Sequence, residues 1–246
     1  MNRGLKKHIF VPSCALIIGD RGSGKSSLMS MIATLMCDSD IPVYSQYPFD
    51  GARSIPMTHS YKKNGSKTYN VDKDWLYSTD LSHCCVLLDE ASTIYPARSW
   101  NNWTQADSDF FNFIRHNQMY VFLATQHSDE IDKNVRRACD ETFFLTVPPL
   151  LSHFNFSYVE CSRTVNVKVV DKNFEIVGKN GRSGAYKVQW DIGEIPSGNF
   201  YFYRKPYYDK FNTHFMFNDK LPPDTQSWRE IMDGDFSKKE IIVNEL

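Results

Sequence analysis

The sequence predicts an α/β fold in which a mainly parallel central sheet is flanked by helices and followed by a small C-terminal antiparallel β appendage. Two apolar runs, 14–18 and 84–88, have no polar alternation, which is typical of strands buried on both faces of a parallel sheet. The segment 27–36 follows the first run and has the periodicity of a helix. Beyond residue 150 the pattern changes to alternating segments at 158–170, 174–177, 185–190 and 199–204, which are separated by turns and indicate antiparallel strands.

The first strand and the first helix enclose the sequence G-D-R-G-S-G-K-S at 19–26. This spacing between a strand and a helix is that of a Walker A phosphate-binding loop, because its glycines let successive backbone N–H groups turn inward around a phosphate. We expect Lys25 to reach the β- and γ-phosphates of ATP and Ser26 to hold Mg²⁺. The predicted nucleotide-binding residues are Gly19, Asp20, Arg21, Gly22, Ser23, Gly24, Lys25, Ser26 and Ser27. The alternative is a glycine-rich turn that happens to contain a lysine.

Two acidic residues end the second apolar run, and polar residues end a further predicted strand at 119–126. Ligands of parallel sheets bind outside the carboxyl ends of the strands. We therefore predict that Asp89 holds Mg²⁺, that Glu90 is the general base for the attacking water, and that Gln126 orients this water or senses the γ-phosphate. In the alternative interpretation, these side chains only cap strands where the strands meet water.

Residues 1–13 are expected to be a lead-in to the first strand, and several helices and a fifth strand at 141–147 complete the predicted domain. An amphipathic helix within 99–117 carries an aromatic stripe that fits a core better than a base-stacking platform, and Ser128 is a fair N-cap for a helix over 129–138. Arg115 suits the C-terminal dipole of its helix. Arg136 and Arg137 are either solvated surface arginines, or one of them is an arginine finger directed at a neighbouring subunit.

Composition restricts the class of protein. The 246 residues carry 41% hydrophobic and 23% charged residues and a net charge of −1, so any contact with DNA must come from a local patch. The six cysteines have no metal-ligand spacing and are expected to be reduced thiols. The sequence contains no run of 18 apolar residues that would predict a transmembrane segment.

The change of pattern near residue 150 predicts a division of the chain. We expect a P-loop ATPase domain at 1–150, a β-rich appendage at 151–217 and a polar tail at 218–246 that is mobile or docked on a partner.

The motifs resemble those of one family when they are taken together. They are Leu87-Leu88-Asp89-Glu90-Ala91, Tyr95-Pro96-Ala97-Arg98, Arg115-His116, Ala124-Thr125-Gln126, Ile131-Asp132 and Val135-Arg136, in this order. This series resembles the N-terminal ATPase domain of the zonular occludens toxin (Zot) family, which includes filamentous phage assembly ATPases and belongs to the FtsK/HerA class of P-loop motors. The resemblance covers roughly 14–147 and, more weakly, 207–213.

The resemblance implies a homo-oligomeric ring that uses ATP to move DNA together with phage or virus assembly proteins. It also implies that Arg98, Arg115 or Arg136 acts across subunits. Many filamentous phage relatives carry a membrane-spanning segment that this chain is not expected to have. This departure weakens DNA extrusion with a separate membrane partner and favours a similarity to the genome-packaging ATPases of tailless viruses, although both roles stay open. We expect the protein in the host cytoplasm, reaching the inner membrane through partners.

Two other functions are weighed against an ATP-driven motor. A nucleotide-binding interaction module without robust turnover would fit the near-neutral charge. A small-molecule kinase fits less well, because Glu90 suits the activation of water and no arginine-rich lid follows.

Overall fold

The computed structural model of the chain describes residues 3–61, 67–97, 103–171, 187–212 and 224–232. In these ranges the helices are α1 (Arg3–Ile9), α2 (Lys25–Cys37), α3 (Lys73–Ser78), α4 (Ala91–Ile94), α5 (Gln105–Phe113), α6 (Lys133–Ala138) and α7 (Trp228–Ile231). The strands are β1 (Ser13–Gly19), β2 (Val43–Ser45), β3 (Arg53–Ser54), β4 (Met57–Tyr61), β5 (Lys67–Val71), β6 (Cys85–Leu88), β7 (Tyr120–Thr125), β8 (Glu141–Thr146), β9 (Phe156–Asp171) and β10 (Lys187–Tyr203). Short 3₁₀ helices span Ser128–Glu130, Pro149–Phe154 and Lys205–Lys210. None of the described helices has the length and apolar character needed to cross a bilayer.

Eight strands form one sheet in the order β10-β9-β8-β1-β7-β6-β2-β3, and β4 pairs with β5 in a separate antiparallel hairpin. The six strands from β8 to β3 in this order are parallel to one another. The predicted α/β fold with a mainly parallel sheet is confirmed. Strand β7 lies between β1 and β6, as required for Gln126 to emerge beside the other predicted site residues.

The central strands are continuous apolar runs in the sequence because helices cover both faces of the sheet. In β1, Ala15 and Ile17 face a core that α1 and α2 cover, whereas Leu16 and Ile18 face a second core with α5 and α6. The aromatic stripe of α5 belongs to this second core, since Phe110 and Phe111 are buried there, as predicted.

All six cysteines are free thiols, as the sequence predicts. Five of them are buried and Cys37 is half-buried. The Sγ atoms of Cys14 and Cys139 lie 3.4 Å apart, and burial raises the pKa of the Cys14 thiol well above its usual range. The five buried cysteines therefore act as small apolar side chains in the core.

The predicted C-terminal antiparallel pair continues the central sheet. Strand β9 pairs antiparallel with β8 along Glu141–Thr146, and β10 pairs antiparallel with β9. Two predicted strands, at 185–190 and 199–204, are one strand in the structure, with an irregularity at Pro196, which has no N–H for the ladder. The expected strand at 174–177 lies outside the described residues, and the domain division at residue 150 stays a prediction.

Two local expectations differ from the structure. The lead-in before β1 contains helix α1, which buries Leu5 and Ile9 on one side. The N-cap of α6 is Asp132, whose carboxylate accepts the N–H of Asn134, whereas Ser128 begins a 3₁₀ turn. Both residue types favour N-caps, so the sequence alone does not decide between them.

Part of the predicted polar tail is packed against the sheet. Trp228 is fully buried, and its indole N–H lies 3.0 Å from the backbone oxygen and 2.9 Å from the hydroxyl of Ser45 in β2. The N–H of Ser54 also donates to the backbone oxygen of Gln226. The expectation of a mobile or partner-docked segment is therefore wrong for 224–232, because one aromatic residue anchors a polar stretch.

We predict that Trp228→Ala lowers the free energy of unfolding by about 3–5 kcal/mol, since it removes a fully buried aromatic side chain and its hydrogen bonds. Urea unfolding followed by far-UV circular dichroism measures this change. Arg229→Ala is the control, because the Arg229–Asp50 ion pair is largely exposed and is expected to contribute about 1 kcal/mol or less. Equal and small losses in the two variants would contradict the anchoring role.

Candidate functional site

The phosphate-binding loop connects β1 to α2 at the carboxyl edge of the sheet. A Cβ atom on Gly19 would lie 2.6 Å from the backbone oxygen of Leu145, so β8 leaves room only for glycine there. Gly24 has a φ of 102°, in the left-handed region, and precedes the first residue of α2. The first N–H groups of α2 have no partner within the helix, which makes this terminus suitable for binding an anion.

Lys25 is buried at the base of the loop, with 9% of its surface exposed. Its Nζ donates to the backbone oxygens of Gly19 at 2.5 Å and of Asp20 at 3.1 Å. These neutral acceptors hold the ammonium group at the point where the loop would surround a phosphate, and a phosphate oxygen would be a stronger acceptor for it.

Asp89 follows β6 and faces the start of α2. The hydroxyl of Ser26 lies 3.5 Å from Oδ2 of Asp89. A hydroxyl and a carboxylate are the oxygen ligands that Mg²⁺ prefers beside phosphates, so these two residues fit the predicted metal site. Loss of solvent raises the pKa of Asp89 to about 6, although Lys25 and the N–H of Glu90 act in the opposite direction.

Glu90 adopts a strained backbone conformation at the start of α4. Its φ of 47° and ψ of 45° are in the left-handed region, which residues other than glycine rarely occupy. Such strain costs roughly 1–3 kcal/mol and is concentrated at functional sites. Nε2 of Gln126, at the end of β7, lies 3.4 Å from Oε1 of Glu90, so the two predicted water-handling residues are neighbours.

One cavity of about 580 Å³ brings most of the predicted site residues together. Its lining residues are Arg21, Gly22, Gly24, Lys25, Ser26, Ser27, Asp89, Glu90, Gln126, Arg204, Tyr208 and Phe211. The last three were missed in the prediction of the site. Only the weak resemblance over 207–213 pointed to this part of the chain.

One side chain of β9 and one directly after β10 contact the outer side of the phosphate-binding loop, which is formed by Gly22 and Ser23. The hydroxyl of Ser157 donates to the backbone oxygen of Ser23, and Nη1 of Arg204 lies 3.0 Å from the backbone oxygen of Gly22. The phosphate-binding loop therefore depends on contacts with the antiparallel pair as well as on β1 and α2.

Of the predicted finger arginines, the two that the structure describes, Arg115 and Arg136, do not line this cavity. Arg115 pairs with Asp140 just before β8, at the amino edge of the sheet. That edge is roughly 20 Å from the phosphate-binding loop, because β1 has seven residues. Arg136 lies 3.6 Å from the Asp129 carboxylate. Arg98 lies outside the described residues, and a role of any of the three across subunits stays a prediction.

Sequence comparison supports the resemblance to a known family. Residues 46–145 match the family model for zonular occludens toxin (Zot). The matched range begins after the phosphate-binding loop and includes Asp89, Glu90 and Gln126. The resemblance to the Zot family is confirmed over these residues. No curated protein sequence matches the chain.

Solved structures with a similar arrangement include the N-terminal domain of zonular occludens toxin from Neisseria meningitidis. It is 15% identical, with a TM-score of 0.49, and the match covers 82% of this chain and 100% of that one. The genome packaging NTPase B204 from Sulfolobus turreted icosahedral virus 2, in complex with ATP-gammaS, is 15% identical with a TM-score of 0.42. That match covers 60% of this chain and 91% of B204.

We predict that Glu90→Gly has a free energy of unfolding about 1 kcal/mol higher than that of Glu90→Gln, because glycine adopts a φ of 47° without a steric penalty. Both variants lose the carboxylate, so the comparison isolates the backbone conformation. Guanidinium unfolding of the two proteins measures the difference. A glycine variant less stable than the glutamine variant would contradict strain at this position.

Proposed function

We propose that the chain is the ATP-hydrolysing subunit of a motor that moves viral DNA during phage or virus assembly. The observation that carries this proposal is the convergence of Lys25, Ser26, Asp89, Glu90 and Gln126 on one cavity at the carboxyl edge of the sheet. These residues supply a phosphate cradle, a metal site, a general base and a polar side chain beside the base. P-loop ATPases use this set of groups to hydrolyse ATP.

ATP is expected to bind with its β- and γ-phosphates at the N-terminus of α2, where Lys25 exchanges its backbone acceptors for phosphate oxygens. Ser26 and Asp89 are the residues that would hold Mg²⁺, which supplies positive charge to the phosphates. The 3.5 Å separation of their oxygens supports a shared ligand.

Glu90 is the proposed general base for the water that attacks the γ-phosphate. Its strained backbone directs the side chain from the start of α4, and Gln126 lies 3.4 Å from its carboxylate. Gln126 is suited to orienting the same water, since its amide has both donor and acceptor atoms.

The assembly role is supported by the Zot match, which covers the Asp89–Glu90 and Gln126 motifs. The similarity to the Zot family suggests that the subunits form a homo-oligomeric ring on DNA. An arginine of a neighbouring subunit would then complete each nucleotide site. Arg115 is the more available candidate, because 71% of its side chain is exposed, compared with 30% for Arg136. Phage or virus assembly proteins are further proposed partners, with a separate membrane partner in the case of extrusion. The chain itself is proposed to act in the host cytoplasm.

We predict that Lys25→Ala abolishes tight ATP binding, because it removes the buried charge that meets the phosphates. Glu90→Gln is expected to keep ATP binding and to lower turnover by about 10²-fold or more. Fluorescence titration with a labelled nucleotide and steady-state phosphate release, with single- or double-stranded DNA, measure the two effects.

The wild-type chain is the reference, and its turnover is expected to rise with protein concentration and with one form of DNA. Equal loss of binding in both variants would contradict the assigned roles. Tight binding without turnover under every condition would favour a nucleotide-dependent interaction module over a motor.

A further inference from the structure

Arg204 reaches the nucleotide cavity from a part of the chain that no nucleotide-binding motif includes. Strand β10 runs antiparallel to β9, which runs antiparallel to β8, so β10 points in the direction of β1. The residue after β10 therefore emerges at the same edge as the phosphate-binding loop. The N–H of Arg204 donates to the backbone oxygen of Asn155 at 2.9 Å, and its own backbone oxygen accepts from Tyr207 at 3.0 Å.

The side chain of Arg204 lies along the loop. A Cβ atom on Gly24 would be 2.7 Å from Cδ of Arg204, so the aliphatic stem occupies the space that this glycine leaves. Nη1 donates to the backbone oxygen of Gly22. Nε is buried and has no hydrogen-bond partner within the part of the chain that the structure describes. A buried donor without a partner is costly, which indicates that the observed arrangement leaves bonding capacity for another group.

The arrangement parallels that of Lys25. Both cations line the same cavity, and both donate to backbone oxygens of the phosphate-binding loop. A guanidinium group has five donors in a planar fork that matches two phosphate oxygens at once. A phosphate would be a stronger acceptor than the neutral Gly22 oxygen.

We infer that Arg204 binds the phosphates of the nucleotide held in its own subunit. This inference rests on the proposed function, because it assigns a residue to the same nucleotide site. It differs from an arginine finger in that the contact needs no neighbouring subunit. The β9–β10 pair thereby supplies a ligand-binding residue in addition to extending the sheet.

The test compares the binding of ADP, pyrophosphate and a non-hydrolysable ATP analogue by calorimetry, so it does not require turnover. Arg204→Met keeps an apolar stem against Gly24 and removes the donors. Its affinity for each of the three ligands is expected to fall by about tenfold or more, because a hydrogen bond to a charged group is lost. Arg204→Lys is expected to retain an intermediate affinity, because it keeps the charge without the fork.

Two controls separate phosphate binding from support of the loop. Lys205→Met makes the same change of charge at a neighbouring exposed residue and is expected to change affinity less than twofold. Ser157→Ala removes the other side-chain donor to the outer side of the loop, and this variant is expected to change the nucleotide affinity less than threefold. The melting temperature of each nucleotide-free variant reports on folding.

Three results would overturn the inference. Wild-type affinity in Arg204→Met would show that the side chain does not bind phosphate. Equal losses of affinity in Arg204→Met and Ser157→Ala, with equal losses of melting temperature, would show that Arg204 only supports the loop. Absence of binding by the wild-type chain would overturn the proposed function together with the role of Arg204, whereas the first two results leave the proposed function intact.

Discussion

The buried ammonium group of Lys25 is the constraint on which the rest of the site depends. A charge with 9% exposure needs partners, and it finds them in the backbone oxygens of Gly19 and Asp20. The loop can present these oxygens because Gly19 packs directly against Leu145 and Gly24 adopts a left-handed conformation. The position of Lys25 and the path of the loop therefore depend on each other.

Opposite charges lie on the two sides of the cavity. Lys25 lies at the start of α2 and Arg204 directly after β10, whereas Asp89 and Glu90 follow β6, two strands away from β1 in the sheet. A bound triphosphate would lie among these groups and meet positive charge from the loop, while the carboxylates stay available for metal and water. The strain at Glu90 fits this arrangement, because a relaxed backbone at the same position would direct the carboxylate differently.

Local patterns explain which parts of the site could be predicted from the sequence. The loop, Asp89 and Gln126 each follow an apolar strand directly, and parallel strands place their carboxyl ends at one edge of a sheet. Arg204 and Ser157 could not be predicted, because their positions depend on two reversals of chain direction across β8, β9 and β10. Trp228 was missed for a related reason, since a single aromatic residue in a polar stretch gives no periodic signal.

The most direct test of the account is a crystal structure of the chain with a non-hydrolysable ATP analogue and Mg²⁺. We predict that the triphosphate occupies the cavity between the phosphate-binding loop and Asp89. Lys25 is then expected to leave the backbone oxygens of Gly19 and Asp20 for phosphate oxygens, with Ser26 and Asp89 at the metal. A nucleotide bound elsewhere on the chain, or a Lys25 that keeps its backbone partners beside a bound triphosphate, would contradict the account.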